Sequence, residues 1–317
     1  MTRRHAISLL GIMAAPHVRA AAVASPLNFE RALMGTRFAI TCYHGHSNEA
    51  KIAADAAFDQ AERTNQVASD YIADSELLGL SKRPDGVPVA VSPLLFQLIL
   101  EARDLAEKTG GLFDPTLGPL TRLWRESRRR KSLPAPETLA AARAATGWQS
   151  LYLDPQNLTI TLTKPAMRLD LGGIAKGQAA DAMLTAMKDC GIPRSCITAG
   201  GDIRVGDPPP AALGWKIGVR TLAGKDDSQF LFLANCGVST SGDLHQFIEI
   251  GGTRYSHIID PATGLGLTRG VTATVIAPTA TVSDAVATAC CVAPGEMANA
   301  MALAAGASKV YLADLSR

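Results

Sequence analysis

The chain has 317 residues, a formal net charge of +2, 19% charged residues and 47% residues of the set AVILMFWYC. This is the composition of a globular protein with enough apolar side chains for a sizeable core. The first 24 residues hold three arginines and no acid, so the remainder is nearly neutral and gives no electrostatic case for nucleic-acid binding. The six cysteines include no C-x-x-C pair, which excludes the usual zinc and redox spacings and favours small buried side chains.

The N-terminus, residues 1–24, predicts a secretory signal peptide. Arg3 and Arg4 precede the short apolar stretch Ala6–Ala15, and a run of small residues follows it. The arginine pair resembles a twin-arginine signal, and the apolar stretch is too short to span a bilayer. We therefore expect a periplasmic domain over 25–317 without a stable membrane span. A membrane anchor is the alternative.

The remaining chain alternates between helical and strand-like patterns. In its first half the patterns predict a strand over Arg31–Tyr43, helices over Glu49–Gln66, Ser92–Thr109, Leu120–Lys131 and Pro136–Thr146, and strands over Leu151–Leu153, Leu158–Thr163 and Met167–Leu171. In its second half they predict helices over Ile174–Cys190, Val282–Val292 and Glu296–Ala305, and strands over Cys196–Ala199, Trp215–Val219, Phe230–Leu233, Phe247–Ile250, Thr272–Ile276 and Val310–Leu312. Because no regular βαβ rhythm emerges, we predict an α+β fold with mixed or antiparallel sheets flanked by helices.

The segment Arg168–Gly177, with sequence RLDLGGIAKG, contains a glycine pair between a predicted strand and a predicted helix. Such a junction exposes backbone N–H groups at the positive end of a helix, which is a site for pyrophosphate. Lys176 would add a point charge there. The segment is not a Walker A loop, and a simple packing turn is the alternative.

Asp284 and Thr288 are four residues apart, so a helix places them on one face. A carboxylate and a hydroxyl together suit a hard cation with oxygen ligands. The alternative is a capping box in which Thr281 caps the helix and Asp284 lies three residues later.

Other polar segments have both a structural and a functional interpretation. The loop Gly110–Leu120 is a tight turn or a ligand-binding loop, and Ala199–Asp202 is a hairpin through which a backbone can approach a ligand. His257 can titrate near neutral pH or can simply be a loop histidine. The basic stretch Arg122–Lys131 is a solvated helix end or a rim that attracts a partner or phosphate.

Taken together, these segments resemble the ApbE family, the FAD:protein FMN transferases. The matching stretches are Met34–Thr36, Asp70-Tyr71 with Ser75–Leu77, Gly111–Leu120, Asp170–Gly177, Gly200–Asp202, Ser239–Gly242, His257–Gly264 and Asp284–Thr288. The resemblance implies two intimately joined lobes with FAD in the cleft between them. It also implies Mg²⁺-dependent transfer of FMN from FAD to a threonine or serine hydroxyl of an acceptor flavoprotein, with release of AMP.

The resemblance also implies roles for individual residues. The residues expected to face FAD are Met34, Tyr71, Leu112, Phe113, Asp114, Asp170, Gly173, Lys176, His257 and Ile258. The expected Mg²⁺ ligands are the backbone from Gly173 to Ala175 and the side chains of Asp284 and Thr288. His257 is the expected general base, and Asp284 is second because a metal-bound carboxylate is a poor base.

This sequence departs from the family pattern at one position. Many relatives have an acidic residue three positions before the aspartate that matches Asp284, whereas this chain has Thr281. A hydroxyl donates less charge to a cation than a carboxylate does, so we expect weaker Mg²⁺ binding or binding through water. Two other functions remain open for the same motifs: an FAD pyrophosphatase that yields FMN and AMP, and a non-catalytic periplasmic FAD-binding protein.

Overall fold

The computed structural model of the chain describes residues 25–220, 228–242 and 246–314. The predicted signal peptide lies outside these residues. The fold is α+β, as predicted, with antiparallel sheets and packed helices.

The helices follow the sequence prediction to within a few residues, with one short addition, α2. They are α1 (Ser47–Ala68), α2 (Glu76–Leu80), α3 (Pro93–Lys108), α4 (Gly118–Arg130), α5 (Pro136–Ala144), α6 (Ala175–Asp189), α7 (Ala280–Val292) and α8 (Gly295–Ala304). The strands are β1 (Leu27–Leu33), β2 (Thr36–Cys42), β3 (Val89–Ala90), β4 (Leu151–Asp154), β5 (Thr159–Leu162), β6 (Ser195–Ala199), β7 (Asp202–Val205), β8 (Trp215–Arg220), β9 (Ser228–Leu233), β10 (Cys236–Gly242), β11 (Phe247–Ile250), β12 (Thr253–Ser256), β13 (Val271–Ala277) and β14 (Lys309–Asp314).

A seven-stranded antiparallel sheet with the order β1-β2-β6-β7-β10-β13-β14 forms the centre of the fold. Alternate residues of β6 point to opposite faces. Ile197 joins the apolar cluster formed with α1 and α6, whereas Cys196 joins a cluster beneath the hairpin β8–β9. A further cluster packs α3, α7 and α8 against β13, and Met34 contacts both this cluster and that of α1 and α6. The two main parts of the core are therefore joined at Met34.

Two predicted strands differ from the structure. The segment predicted as one strand over Arg31–Tyr43 is part of the hairpin β1–β2, whose turn places Met34 at φ 49° and Gly35 at φ 71°. Methionine carries no turn signal, so the alternating pattern hides this reversal. The segment Met167–Leu171 forms only an isolated bridge between Arg168 and Leu117, because its backbone pairs with a loop instead of a strand.

The first turns of α6 and α7 lie in direct contact, and a glycine permits this. A Cβ atom on Gly177 would lie 2.3 Å from the carbonyl oxygen of Ala280, which no real side chain tolerates. The two helix starts therefore approach as closely as their backbones allow.

Four of the six cysteines are buried, at positions 42, 196, 290 and 291, which confirms their interpretation as small core residues, whereas Cys190 is exposed and Cys236 is half-buried, so the interpretation was wrong for Cys190. Among the described helices, none combines the length and the apolar character needed to cross a membrane.

Candidate active site

The glycine turn and the carboxylate–hydroxyl pair that the sequence singled out are neighbours in the structure. A carboxylate oxygen of Asp284 accepts a hydrogen bond from the backbone N–H of Gly177 at 3.1 Å. A Cβ atom on Gly173 would lie 3.4 Å from the hydroxyl oxygen of Thr288. Residues more than 100 positions apart in the chain therefore meet where α6 begins.

Lys176 lies between two buried carboxylates at this junction. Its ammonium nitrogen is 2.6 Å from Asp202 and 3.3 Å from Asp284. Burial alone would lower the pKa of Lys176, but Asp284 and Asp202 outweigh it, so the pKa is raised and the amine stays charged. Burial, and then repulsion from Asp202, raise the pKa of Asp284 to about 7 against the opposing effect of Lys176. Two carboxylates facing one ammonium leave a surplus of negative charge that favours a further cation.

Asp202 was not expected to act through its side chain. The sequence of Ala199–Asp202 indicated a hairpin whose backbone approaches a ligand. In the structure the Asp202 side chain is 3% exposed and pairs with Lys176. The only feature of the sequence that could have indicated this role is the position of Asp202 directly after two glycines.

Charged side chains hold both ends of α7, the helix that carries Asp284 and Thr288. At its start, Asp181 accepts hydrogen bonds from the N–H groups of Ala280 at 3.0 Å and Thr281 at 2.8 Å. At its end, Arg269 donates to the carbonyl oxygens of the three residues Cys291, Val292 and Ala293. An acid at the start and a base at the end both complement the helix dipole. These contacts hold both ends of α7 and so restrict its movement along its own axis.

Thr281 does not cap α7, so that alternative was wrong. The N-cap is Thr279, whose side chain accepts from the N–H of Val282 at 3.2 Å. The Thr281 hydroxyl instead donates to Asp181 at 2.7 Å, and Arg204 forms an ion pair with Asp181 at 2.7 Å. From the family pattern, Thr281 was expected to bind the cation weakly or through water. In the structure its hydroxyl already donates to Asp181.

The donor atoms at the junction suit Mg²⁺. Among the residues that the structure describes, no group of three or more His, Cys, Asp or Glu side chains forms a complete metal cage. Mg²⁺ does not need one, since it commonly binds through one or two carboxylates together with water and substrate phosphates. Asp284 offers a carboxylate that is 4% exposed, and Thr288 offers a hydroxyl beside Gly173. The residues present therefore fit a magnesium ion that shares its coordination with a phosphate.

The predicted flavin-facing residues Tyr71 and Asp170 are linked by an arginine that the sequence analysis did not select. The guanidinium of Arg125 lies 4.2 Å from the centre of the Tyr71 ring and pairs with Asp70 at 2.5 Å and Asp170 at 3.4 Å. Burial and repulsion from Asp170 raise the pKa of Asp70 despite this ion pair. Asp170 also accepts from the N–H of Gly172 at 2.8 Å, so it holds the glycine turn. The Tyr71 ring is 76% exposed and can receive a planar ligand.

The loop Gly110–Leu120 is largely structural. Phe113 is 4% exposed, Leu112 packs partly buried against the same core, and a Cβ atom on Gly173 would touch the Phe113 ring at 3.4 Å. The two carboxylate oxygens of Asp114 accept hydrogen bonds from Thr116 and from the N–H of Trp148. Burial raises the pKa of Asp114. These contacts favour a structural turn whose Phe113 ring packs against Gly173. The predicted contact of Asp114 with adenosine stays a prediction.

His257, Ile258 and Met34 lie on segments other than α6 and α7. The backbone N–H of His257 donates to the carbonyl oxygen of Gln246 at 3.0 Å, just before β11, and its Nδ1 is 3.2 Å from the same oxygen. Ile258 is buried in the core cluster that contains Phe113. Met34 lines a cavity of about 610 Å³ beside α1, together with residues 30–37, Glu62 and Asn65. The roles of these residues as base and flavin contacts stay predictions.

Comparisons with known proteins point to one family. Residues 34–312 match the model of the ApbE family. An FAD:protein FMN transferase of Treponema pallidum is 33% identical over 258 residues, which are 76% of this chain and 71% of that protein. One from Escherichia coli K12 is 31% identical over 71% of this chain and 66% of that protein.

Solved structures agree as well. The ApbE protein of Thermotoga maritima superposes with a TM-score of 0.80 at 29% identity, covering 90% of this chain and 93% of the other. The flavin transferase ApbE of Vibrio cholerae superposes with a TM-score of 0.79 at 28% identity, covering 91% and 93%. The chain therefore belongs to the ApbE family.

Proposed function

We propose that this protein transfers FMN from FAD to a threonine or serine hydroxyl of an acceptor flavoprotein in a Mg²⁺-dependent reaction that releases AMP. The observation that carries the proposal is the meeting of Asp284 and Thr288 with the glycine turn at the start of α6. The names of the Treponema and Escherichia relatives support the same reaction.

The junction offers what a pyrophosphate requires. The helix dipole at the start of α6 favours negative charge beside the glycine turn at Gly173. Asp284, Thr288 and the backbone from Gly173 to Ala175 would hold Mg²⁺, which supplies neutralisation of charge on the phosphate oxygens. Lys176 adds a fixed positive charge in a buried setting.

The reaction exchanges one phosphorus–oxygen bond for another. The acceptor hydroxyl oxygen bonds to the FMN-side phosphorus, the bridging bond of the pyrophosphate breaks, and AMP leaves. The hydroxyl proton needs a base within hydrogen-bond reach. We assign this role to His257, since Asp284 is buried and its carboxylate already bonds to Gly177 and Lys176. Tyr71 and Met34 would contact the flavin dinucleotide.

The test combines an acceptor assay with one substitution. The protein is incubated with FAD, MgCl₂ and a library of peptides that carry a central threonine or serine, and in parallel is co-expressed with flavoproteins. Mass spectrometry and in-gel fluorescence after denaturation then detect covalent FMN. Asp284→Ala should abolish the signal, while Asp189→Ala, an exposed acid at the end of α6, should leave it unchanged.

The same assay separates the alternatives. AMP release without acceptor at the rate of FMN transfer would indicate an FAD pyrophosphatase. Tight FAD binding without AMP release in the presence of Mg²⁺ would indicate a binding protein. Absence of covalent FMN on every peptide and every co-expressed flavoprotein would contradict the proposed transferase.

We also propose that residues 1–24 are a twin-arginine signal and that the domain 25–317 works in the periplasm. The support is the sequence pattern of Arg3, Arg4 and the short apolar stretch. Replacing Arg3 and Arg4 together by lysine should retain the protein in the cytoplasm, as measured by fractionation. Unchanged periplasmic levels would remove the proposal.

A further inference from the structure

A groove of about 320 Å³ lies between α4 and the hairpin β11–β12. It is lined by Arg125, Arg128, Arg129, Phe247 and Ile248. Helix α4 contributes the cationic wall, and the first two residues of β11 contribute the apolar wall. The groove thus offers both an electrostatic and an apolar contact to one ligand.

Two of the three arginines in the cationic wall form no ion pair with the residues that the structure describes. Arg130 pairs with Glu126 at 2.5 Å, and Arg125 pairs with Asp70 and Asp170. For Arg128 and Arg129, none of the ion pairs within residues 25–220, 228–242 and 246–314 involves either side chain. Two guanidinium groups therefore line the groove without an ion-pair partner in the described part of the chain.

The apolar wall is also accessible. Phe247 is 43% exposed, and the guanidinium of Arg254 lies 4.1 Å from the centre of its ring. An exposed aromatic side chain next to arginines is a composition found at protein interfaces. The basic end of α4 complements the helix dipole, but that effect does not require an aromatic residue opposite the arginines.

The groove adjoins the residues assigned to the reaction. On one side, Arg125 stacks on Tyr71 and reaches Asp170, which holds the glycine turn. On the other side, Gln246 directly precedes Phe247 and its carbonyl accepts from the N–H of His257. A segment bound in the groove would therefore lie between the proposed flavin contact and the proposed base.

We infer that this groove docks an acidic segment of the acceptor protein, with aspartate or glutamate residues close to the threonine or serine that receives FMN. The inference rests on the proposed function. Carboxylates pair with arginine through two parallel hydrogen bonds, and exposed charges of opposite sign steer association. The formal net charge of the chain is only +2, so overall charge would add little to this attraction.

The test uses a library of peptides with a central threonine and flanking positions that are acidic, neutral or basic. The double variant Arg128→Glu/Arg129→Glu reverses the charge of the groove. The matched control Arg122→Glu/Lys131→Glu makes the same change of net charge at exposed positions at the two ends of α4 that do not line the groove. FMN incorporation is measured by mass spectrometry, and FAD affinity by quenching of flavin fluorescence.

The wild type should label acid-flanked peptides with a KM roughly tenfold below that of neutral ones, and added salt should reduce this difference. The groove variant should lose the preference or reverse it toward basic flanks, with FAD affinity unchanged, while the control keeps the wild-type preference. Labelling that ignores flanking charge, or a control that behaves as the groove variant does, overturns the inference but not the proposed function. Absence of labelling on every peptide and flavoprotein overturns both.

Discussion

Two charged regions of this molecule differ in how their charges are used. At the junction of α6 and α7, the carboxylates of Asp202 and Asp284 are buried, and the charged side chains form ion pairs within the protein. In the groove beside α4, arginines are half-exposed or exposed, and an aromatic ring faces them. Buried pairs cost desolvation and hold one geometry, whereas exposed charges contribute little to stability and stay available for a partner. The first region suits a fixed phosphate and the second suits a variable protein segment.

The largest loss of folding stability is expected for Asp181→Ala. The change removes the hydrogen bonds to Ala280 and Thr281 and leaves the largely buried Arg204 without its carboxylate. Loss of one partner of such a pair costs about 3–5 kcal/mol, so the free energy of unfolding should fall by that order. Urea denaturation measures it, with Asp189→Ala as the exposed control on the same helix, expected within about 0.5 kcal/mol of the wild type. Equal effects of the two variants would contradict the distinction between the regions.

A smaller loss of folding stability is expected for Gly177→Ala. The added methyl group would meet the Ala280 carbonyl oxygen at 2.3 Å and force α6 away from α7. Such overpacking costs about 1–3 kcal/mol, which thermal denaturation detects. Gly79→Ala is the matched control in α2, where a Cβ atom meets nothing within 4 Å. There alanine should stabilise slightly, because it loses less backbone entropy than glycine. A stable Gly177→Ala protein would show that the junction adapts.

Tyr71→Ala is expected to weaken FAD binding without a comparable loss of stability, because the ring is 76% exposed. Loss of one aromatic stacking contact is worth about 0.5–1.5 kcal/mol, which corresponds to roughly threefold to tenfold in Kd. Tyr71→Phe keeps the ring and should retain the affinity. Flavin fluorescence titration separates the two variants, and equal losses would assign the effect to the hydroxyl group instead.

The smallest change in stability is expected for Arg128→Gln/Arg129→Gln. Surface substitutions of this kind alter the free energy of unfolding by less than about 0.5 kcal/mol. Chemical denaturation should therefore leave the midpoint unchanged within error. If the free energy of unfolding fell by several kcal/mol, these arginines would contribute to stability as buried ion pairs do, and the contrast between the two regions would be wrong.

Local sequence patterns predicted most of the secondary structure. Helix α6 was expected over 174–190 and spans 175–189, and α7 was expected over 282–292 and spans 280–292. Helical periodicity and glycine stops are local properties, so they are visible without the fold. The proximity of the Asp284–Thr288 pair to the glycine turn was expected only through the family resemblance, and the structure places Asp284 against Gly177 and Thr288 beside Gly173.

Partners that come from distant segments were not predictable in the same way. The ion pairs of Arg125 with Asp70 and Asp170 join three segments, and nothing in the basic stretch 122–131 distinguishes Arg125 from its neighbours. Asp181 likewise reads as an ordinary polar residue of a helix, although it binds the start of another helix about 100 residues later. Sequence patterns indicate which face of an element is apolar, but pairing between elements depends on the tertiary fold.

The bond between Thr281 and Asp181 also limits how this protein can diverge. An acidic residue at 281 would place a second carboxylate against Asp181 in the space that the threonine hydroxyl now fills. The two like charges would then require a shared proton, a cation or a side-chain rearrangement. Positions 181 and 281 are therefore expected to evolve together, so that a change at either one becomes tolerable only after a matching change at the other.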